Sequence, residues 1–116
     1  MVFVGYKKCS TSNKAELWLK KRNIDYSFRP IKEENPTANE LKIWYKRSGL
    51  PLKRFFNTSG MLYKELNLKE KLAEMSEEEQ INLLSSNGML VKRPILISDS
   101  FVLVGFKENE WAEKLL

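Results

Sequence analysis

The chain holds one cysteine, Cys9, in the segment Lys7-Lys8-Cys9-Ser10-Thr11-Ser12-Asn13. A cysteine acts as a nucleophile only as the thiolate, and a thiol at the start of a helix sees free N–H groups and the positive end of the helix dipole. Both favour the charged sulfur, and Lys7, Lys8 and Lys14 add positive charge nearby in sequence. The hydroxyls of Ser10, Thr11 and Ser12 can donate to a thiolate or a bound oxyanion, and the N–H groups of residues 10–13 form a cradle for one. The plainer alternatives are a cysteine that serves as a small buried hydrophobe and hydroxyls that only cap a helix. Cys9 is flanked by Lys8 and Ser10 rather than by apolar residues, which favours the reactive reading. Ser12 gives a C-x-x-S spacing where redox proteins often carry C-x-x-C. With no second cysteine, an oxidised Cys9 must be resolved by an external thiol.

A second candidate element is Lys92-Arg93-Pro94, directly before the apolar run Ile95–Ser98. Arg93 has the planar fork that pairs with an oxyanion or a thiolate; the alternative is an ordinary surface charge. Pro94 suits the first position of a strand, where no ladder N–H is needed. A cis peptide there would turn backbone polar groups toward the loop of Cys9. Other chemistries lack their residues. There is no histidine, so the usual zinc ligand sets and the Ser-His-Asp and Cys-His constellations cannot be assembled, and no metal or bound cofactor is expected.

The elements that must position these residues read as follows. Residues 1–6, MVFVGY, form a short apolar strand. Ala15, Trp18, Leu19 and Arg22 then fall at helical spacing, in a helix that follows the KKCSTSN segment and ends near Asn23. Tyr26, Phe28 and Pro30 alternate as a second strand near a sheet edge. Strand, helix and strand within about 30 residues make a βαβ unit with parallel strands. Cys9 then lies beyond the carboxyl end of the first strand, where such folds place their chemistry. From about Pro36 to Gly88 the chain is helical. Thr37 with Glu40 and Ser76 with Glu79 read as capping boxes, and Gly49 and Gly88 as helix C-caps. Short helices broken near Asn57–Gly60 and at Asn67 are expected between them. Residues 95–98 and 101–106 form a hairpin across Asp99-Ser100, and a last helix starts near Glu108. The sum is one α/β domain over residues 1–116, β-α-β, a helical insertion at about 36–88, then β-β-α.

Composition agrees with a packed cytoplasmic domain: 42% hydrophobic, 30% charged, and no run long enough to cross a membrane. A lone thiol fits a reducing compartment. The net charge is +5, and it is uneven. Residues 1–60 carry 13 Lys or Arg against 5 Asp or Glu, a balance that would steer an anionic substrate or partner. No recognisable nucleic-acid module or basic stripe is present, so direct nucleic-acid binding is not expected.

The blocks GLPLKRFFNTSGMLYKELNL and MLVKRPILIS-FVLVGFKENEW, together with the strand-Cys9-helix start, resemble the arsenate reductase (ArsC)/Spx/MgsR family over nearly the whole chain. The resemblance implies a thioredoxin-like fold, a mixed four-stranded sheet with a helical insertion and a cis-proline at Pro94. It implies Cys9 as the family's nucleophile and Arg93 as the family's arginine just before the proline. Arsenate reductases carry two further oxyanion-binding arginines. Those positions fall near Asn57 and Gly105, and Arg54 is the cation closest in sequence to the first. In that branch glutathione and glutaredoxin resolve the cysteine adduct, which makes a low-molecular-weight thiol the implied co-substrate. The Spx branch implies a regulator that binds the C-terminal domain of the RNA polymerase α subunit, with the Gly49–Pro51 segment as the place to look. Spx proteins often use a C-x-x-C switch, which Ser12 leaves open. A thiol-dependent oxidoreductase of arsenate-reductase type is the leading expectation, an Spx-like regulator the second, and a member that keeps the fold without either activity the third.

Overall fold

Four short strands and six helices follow one another along residues 1–116, all of which the computed structural model describes. Strand β1 (Val2–Gly5) leads through a tight loop into α1 (Ser10–Lys21) and then β2 (Ser27–Pro30). The insertion comprises α2 (Ala38–Ser48), a 3₁₀ turn (Leu52–Phe55), α3 (Met61–Glu65), α4 (Leu68–Lys71), a 3₁₀ turn (Leu72–Glu74), α5 (Glu77–Ser86) and a 3₁₀ turn (Gly88–Leu90). Strands β3 (Ile95–Ile97) and β4 (Val102–Val104) and helix α6 (Glu108–Leu115) complete the chain. The sheet order is β2-β1-β3-β4. β1 and β2 are parallel, while β3 runs antiparallel to both β1 and β4. This is the expected mixed four-stranded sheet, with Pro30 closing an edge strand.

Period-two alternation in the strands divides the core into two layers. Phe3, Leu96 and Leu103 point to one face, where they meet Ala15, Trp18 and Leu19 of α1 and Trp111 of α6. Val4, Ile95, Val102 and Val104 point to the other, against Leu41 and Trp44 of α2, Ile81 and Leu84 of α5, and Phe55 and Phe56. The insertion is therefore the second helical layer that the sheet needs to bury its far side. Trp111 is fully buried, and its indole N–H donates to the Gly105 carbonyl at 3.0 Å.

Local signals account for most of the boundaries. Both capping boxes form, Thr37 with Glu40 and Ser76 with Glu79. Helix α1 ends in a Schellman motif. Asn23 adopts φ 55°, its N–H bonds the Lys20 carbonyl, and the Ile24 N–H reaches the Leu19 carbonyl. Gly49 caps α2 at φ 67°, and Asn67 breaks α3 from α4 at φ 54°. Two expectations need correction. Helix α1 begins at Ser10, inside the hydroxyl-rich segment rather than after it, because Ser12 has a local partner described below. Gly88 is not a left-handed C-cap: α5 ends at extended Asn87, and Gly88 opens the 3₁₀ turn that follows. A Cβ at Gly88 would overlap the Ile31 carbonyl oxygen, so glycine is required there by close backbone approach.

Candidate active site

Cys9 occupies the N-cap position of α1, with extended backbone at φ −97°, ψ 120°. Its own N–H closes a turn on the Tyr6 carbonyl at 2.9 Å, and its carbonyl accepts from Asn13 N–H at 3.1 Å. The amides of Ser10, Thr11 and Ser12 have no main-chain partner, as the first turn of a helix dictates. The oxyanion cradle expected over residues 10–13 is thus one amide smaller: the Asn13 N–H is taken. The Asn13 side chain is also engaged, donating to the Lys7 carbonyl at 2.9 Å, so it braces the loop.

Ser12 is completely buried. Its Oγ accepts from the Tyr6 N–H at 3.3 Å, which leaves the hydroxyl proton free for the sulfur. Cys9 makes no side-chain capping bond as a neutral thiol, but its surroundings favour the charged form. Burial pushes the thiol up. The Ser12 N–H and hydroxyl, the Thr11 N–H and the Arg93 charge together pull it down further, and the net result lies below the ordinary thiol value. Cys9 is itself half-buried, so the sulfur is both stabilised and reachable. Ser10 is exposed at the mouth.

Arg93 and Pro94 come to the same end of the sheet because β3 starts where β1 ends, with Val4 opposite Ile95. The Arg93–Pro94 peptide is cis. The Arg93 guanidinium lies 5.2 Å from the Tyr6 ring centroid and donates to the carbonyls of Met89 at 3.3 Å and Val91 at 3.4 Å. Pro94 is buried, and its carbonyl accepts from Gly105 N–H at 2.8 Å.

The two positions where arginines were expected are now defined. Asn57 Nδ2 donates to the same Met89 carbonyl that Arg93 holds, at 3.5 Å, so position 57 lies beside the Arg93 guanidinium. Gly105 has φ 73°, and a Cβ there would press on Lys92 Cε at 3.2 Å. Arg54 lines a cleft with Lys53 and Lys92, whose wall includes Phe56 and Thr58 on either side of Asn57.

One correction concerns the lysines. Lys7 turns away from the thiol: its Nζ pairs with Glu16 at 2.9 Å and lies 4.0 Å from the Phe28 ring centroid. The charge acting on Cys9 is that of Arg93. Sequence reasoning also missed the network beneath the loop. Glu16 is buried and accepts from the Tyr26 hydroxyl at 2.7 Å. Burial and the neighbouring carboxylate push Tyr26 up to about 12. A glutamate on the apolar side of a helix, seven residues after a loop cysteine, was the available signal. No group of His, Cys, Asp and Glu side chains is arranged to hold a metal ion, and no helix is long and apolar enough to cross a membrane.

The ArsC family profile matches residues 4–114. The solved structure of an ArsC family related protein from Bacteroides fragilis superposes with TM-score 0.95 and 56% identity, covering 97% of this chain and 94% of that one. An arsenate reductase from Vibrio cholerae superposes with TM-score 0.85 at 26% identity, covering 99% and 96%. The protein YusI of Bacillus subtilis is 51% identical over 97% of this chain and 96% of its own length. Global transcriptional regulator Spx 2 of Oceanobacillus iheyensis is 31% identical over 88% of this chain and 74% of its own.

Proposed function

The chain belongs to the ArsC family, and from that premise we propose that it is a thiol-dependent oxidoreductase of arsenate-reductase type whose one nucleophile, Cys9, is resolved by an external thiol. The observation that carries this reading is the half-buried sulfur at the start of α1, lowered in pKa by Ser12, Thr11 and Arg93. A thiolate near ambient pH is the useful nucleophile in exchange chemistry. In the first step Cys9–S⁻ attacks one sulfur of a disulfide R–S–S–R′, forms Cys9–S–S–R and expels R′–S⁻. In the second, an external thiolate R″–S⁻ attacks the R sulfur, releasing Cys9–S⁻ and R–S–S–R″. Each step moves one sulfur–sulfur bond and needs no further oxidant. R is a low-molecular-weight thiol such as glutathione, and a glutaredoxin is a suitable second thiol. The free amides of Ser10, Thr11 and Ser12 and the charge of Arg93 stabilise the negative charge that spreads over the sulfurs.

Disulfide exchange is favoured here over arsenate reduction. An oxyanion held by three arginines would lose two of them at Asn57 and Gly105. At roughly 1.5–3 kcal/mol per charged hydrogen bond, that forfeits about 3–6 kcal/mol of binding where no other cation takes their place. The test is turnover of a glutathione mixed disulfide, and of arsenate, with glutathione and glutaredoxin as reductants. Turnover of the disulfide that vanishes in Cys9→Ser supports the reading; a rate unchanged in Cys9→Ser removes it.

The likeness to Spx 2 supports a second reading, a regulator that docks on the C-terminal domain of the RNA polymerase α subunit. The left-handed cap at Gly49 presents exposed Pro51 next to half-buried Leu50. Calorimetric titration with the isolated domain tests it, and the absence of heat at high micromolar concentration ends it.

A further inference from the structure

Five arginines occur in the chain, and four have acceptors for their guanidinium groups. Arg22 bonds the Trp18 carbonyl, Arg29 pairs with Glu40, Arg47 reaches the Ser98 carbonyl, and Arg93 holds Met89 and Val91. Arg54 has none, although it is only partly exposed. Its side chain lines a cleft of about 390 Å³ with Lys53, Lys92, Thr58, Pro51 and Phe56. Neither lysine has a carboxylate partner, and no acidic residue lines the cleft. Three unpaired cations around one concavity, with a free hydroxyl and an apolar floor, are a site for an anionic ligand. The volume is that of a small organic molecule and far exceeds a single tetrahedral oxyanion.

The cleft lies at the Cys9 end of the sheet. Lys92 adjoins Arg93, whose charge acts on the thiol. Lys92 Cε packs over Gly105, in the turn after β4, and Val104 pairs with Ile95 where β1 ends. Residues 55–57 are tied to 90–92 by the Asn57–Leu90 and Lys92–Phe55 main-chain bonds, so the backbone that carries Lys92 and leads on from Arg54 is joined to the segment that carries Arg93.

We propose that this cleft is a specificity subsite that binds the carboxylate- or phosphate-bearing end of a small-thiol disulfide while Cys9 exchanges with its sulfur. The inference rests on the disulfide-exchange reading and names the substrate class: anionic small thiols rather than neutral ones. A tripeptide-sized thiol extends about 10 Å, enough to place its sulfur and its anionic end at two neighbouring positions.

Two measurements test it. The first compares the rates at which Cys9 reacts with dithiobis(nitrobenzoate), a dianion, and with dithiodipyridine, which is neutral. The ratio cancels any change in the thiol itself. In a Lys53→Gln, Arg54→Gln, Lys92→Gln variant the ratio falls roughly tenfold, the sum of three weak ion pairs. A control with the same loss of charge elsewhere, Lys42→Gln, Lys69→Gln, Lys71→Gln, leaves it within about twofold. Equal falls in both variants overturn the subsite. The second titrates glutathione sulfonate, which cannot exchange, into Cys9→Ser protein and follows amide NMR shifts. Shifts at residues 53–58 and 91–92 that disappear in the cleft variant support the subsite, and their absence overturns it. Inorganic phosphate titrated in parallel separates the sources: shifts of equal affinity from phosphate alone mean a general anion site and overturn the thiol assignment. If Cys9 reacts with neither disulfide, the exchange reading fails, and the titration still reports on the cleft alone.

Discussion

Replacing Ser12 with alanine removes one hydroxyl that does two jobs. It accepts the Tyr6 N–H at 3.3 Å and helps hold the Cys9 sulfur in its charged form. A hydrogen bond to a charged group is worth about 1.5–3 kcal/mol. Cys9 is half-buried, so water replaces part of that, leaving roughly half. At 1.36 kcal/mol per pKa unit, the midpoint of Cys9 alkylation rises by roughly 0.5–1 pH unit. Below the wild-type midpoint the rate falls by about three- to tenfold at fixed pH. The shift is not complete, because the Thr11 and Ser12 amides remain. The assay is pseudo-first-order alkylation by iodoacetamide from about pH 5 to pH 10, the span over which an ordinary thiol titrates. A urea melt accompanies it, since an unpaired Tyr6 N–H costs about 1–3 kcal/mol of stability. A midpoint that stays in place while the fold survives would refute the reasoning: Ser12 would then serve only the loop.

Three further outcomes follow from the same geometry. Arg93→Ala raises the alkylation midpoint by less than Ser12→Ala does, because Arg93 acts by charge alone. Unlike the Ser12 effect, its shift shrinks in about 1 M salt; a salt-independent shift would contradict this. Glu40 is held at about 2, chiefly by its hydrogen bond from Arg29. Its folded pKa is depressed, so its contribution to stability is complete above the unfolded carboxylate value near 4.3 and is lost as pH falls through 4 toward 2. Glu40→Gln keeps the capping geometry and lowers stability at neutral pH by about 1–2 kcal/mol after allowing for solvent screening. Urea midpoints of the two proteins differ at neutral pH and converge as pH falls toward 2. Gly88→Ala forces a Cβ onto the Ile31 carbonyl and costs about 3 kcal/mol or more. A urea midpoint close to wild type would mean that the backbone yields there.

Much of this architecture was legible because it is encoded locally. The alternation in Phe3-Val4 and in Val102-Leu103-Val104 assigns each residue to one face of a sheet, whatever packs there. Thr37 with Glu40 and Ser76 with Glu79 satisfy orphan amides within four residues, so no distant partner is needed. Asn23 and Gly49 end helices through their own tolerance of positive φ. The start of α1 was misplaced for the opposite reason. Ser10, Thr11 and Ser12 look like caps in isolation, and the choice fell to a bond from Tyr6 to Ser12 across the loop. Gly88 was misread likewise, since Ile31 is distant in sequence.

At the site, residue type and the order strand-cysteine-helix make Cys9 the leading candidate, and with one cysteine in the chain no intrachain disulfide can form. The sequence also carried Arg93 and Pro94 as candidates, with an ordinary surface charge as the alternative for the arginine. Only folding brings Arg93 to the sulfur, turns Lys7 away to Glu16, sets Asn57 against the Met89 carbonyl and gathers Lys53, Arg54 and Lys92 around one cleft. Those placements depend on antiparallel pairing between chain ends some ninety residues apart. Local patterns specify which face a side chain occupies, and long-range register specifies what stands opposite it.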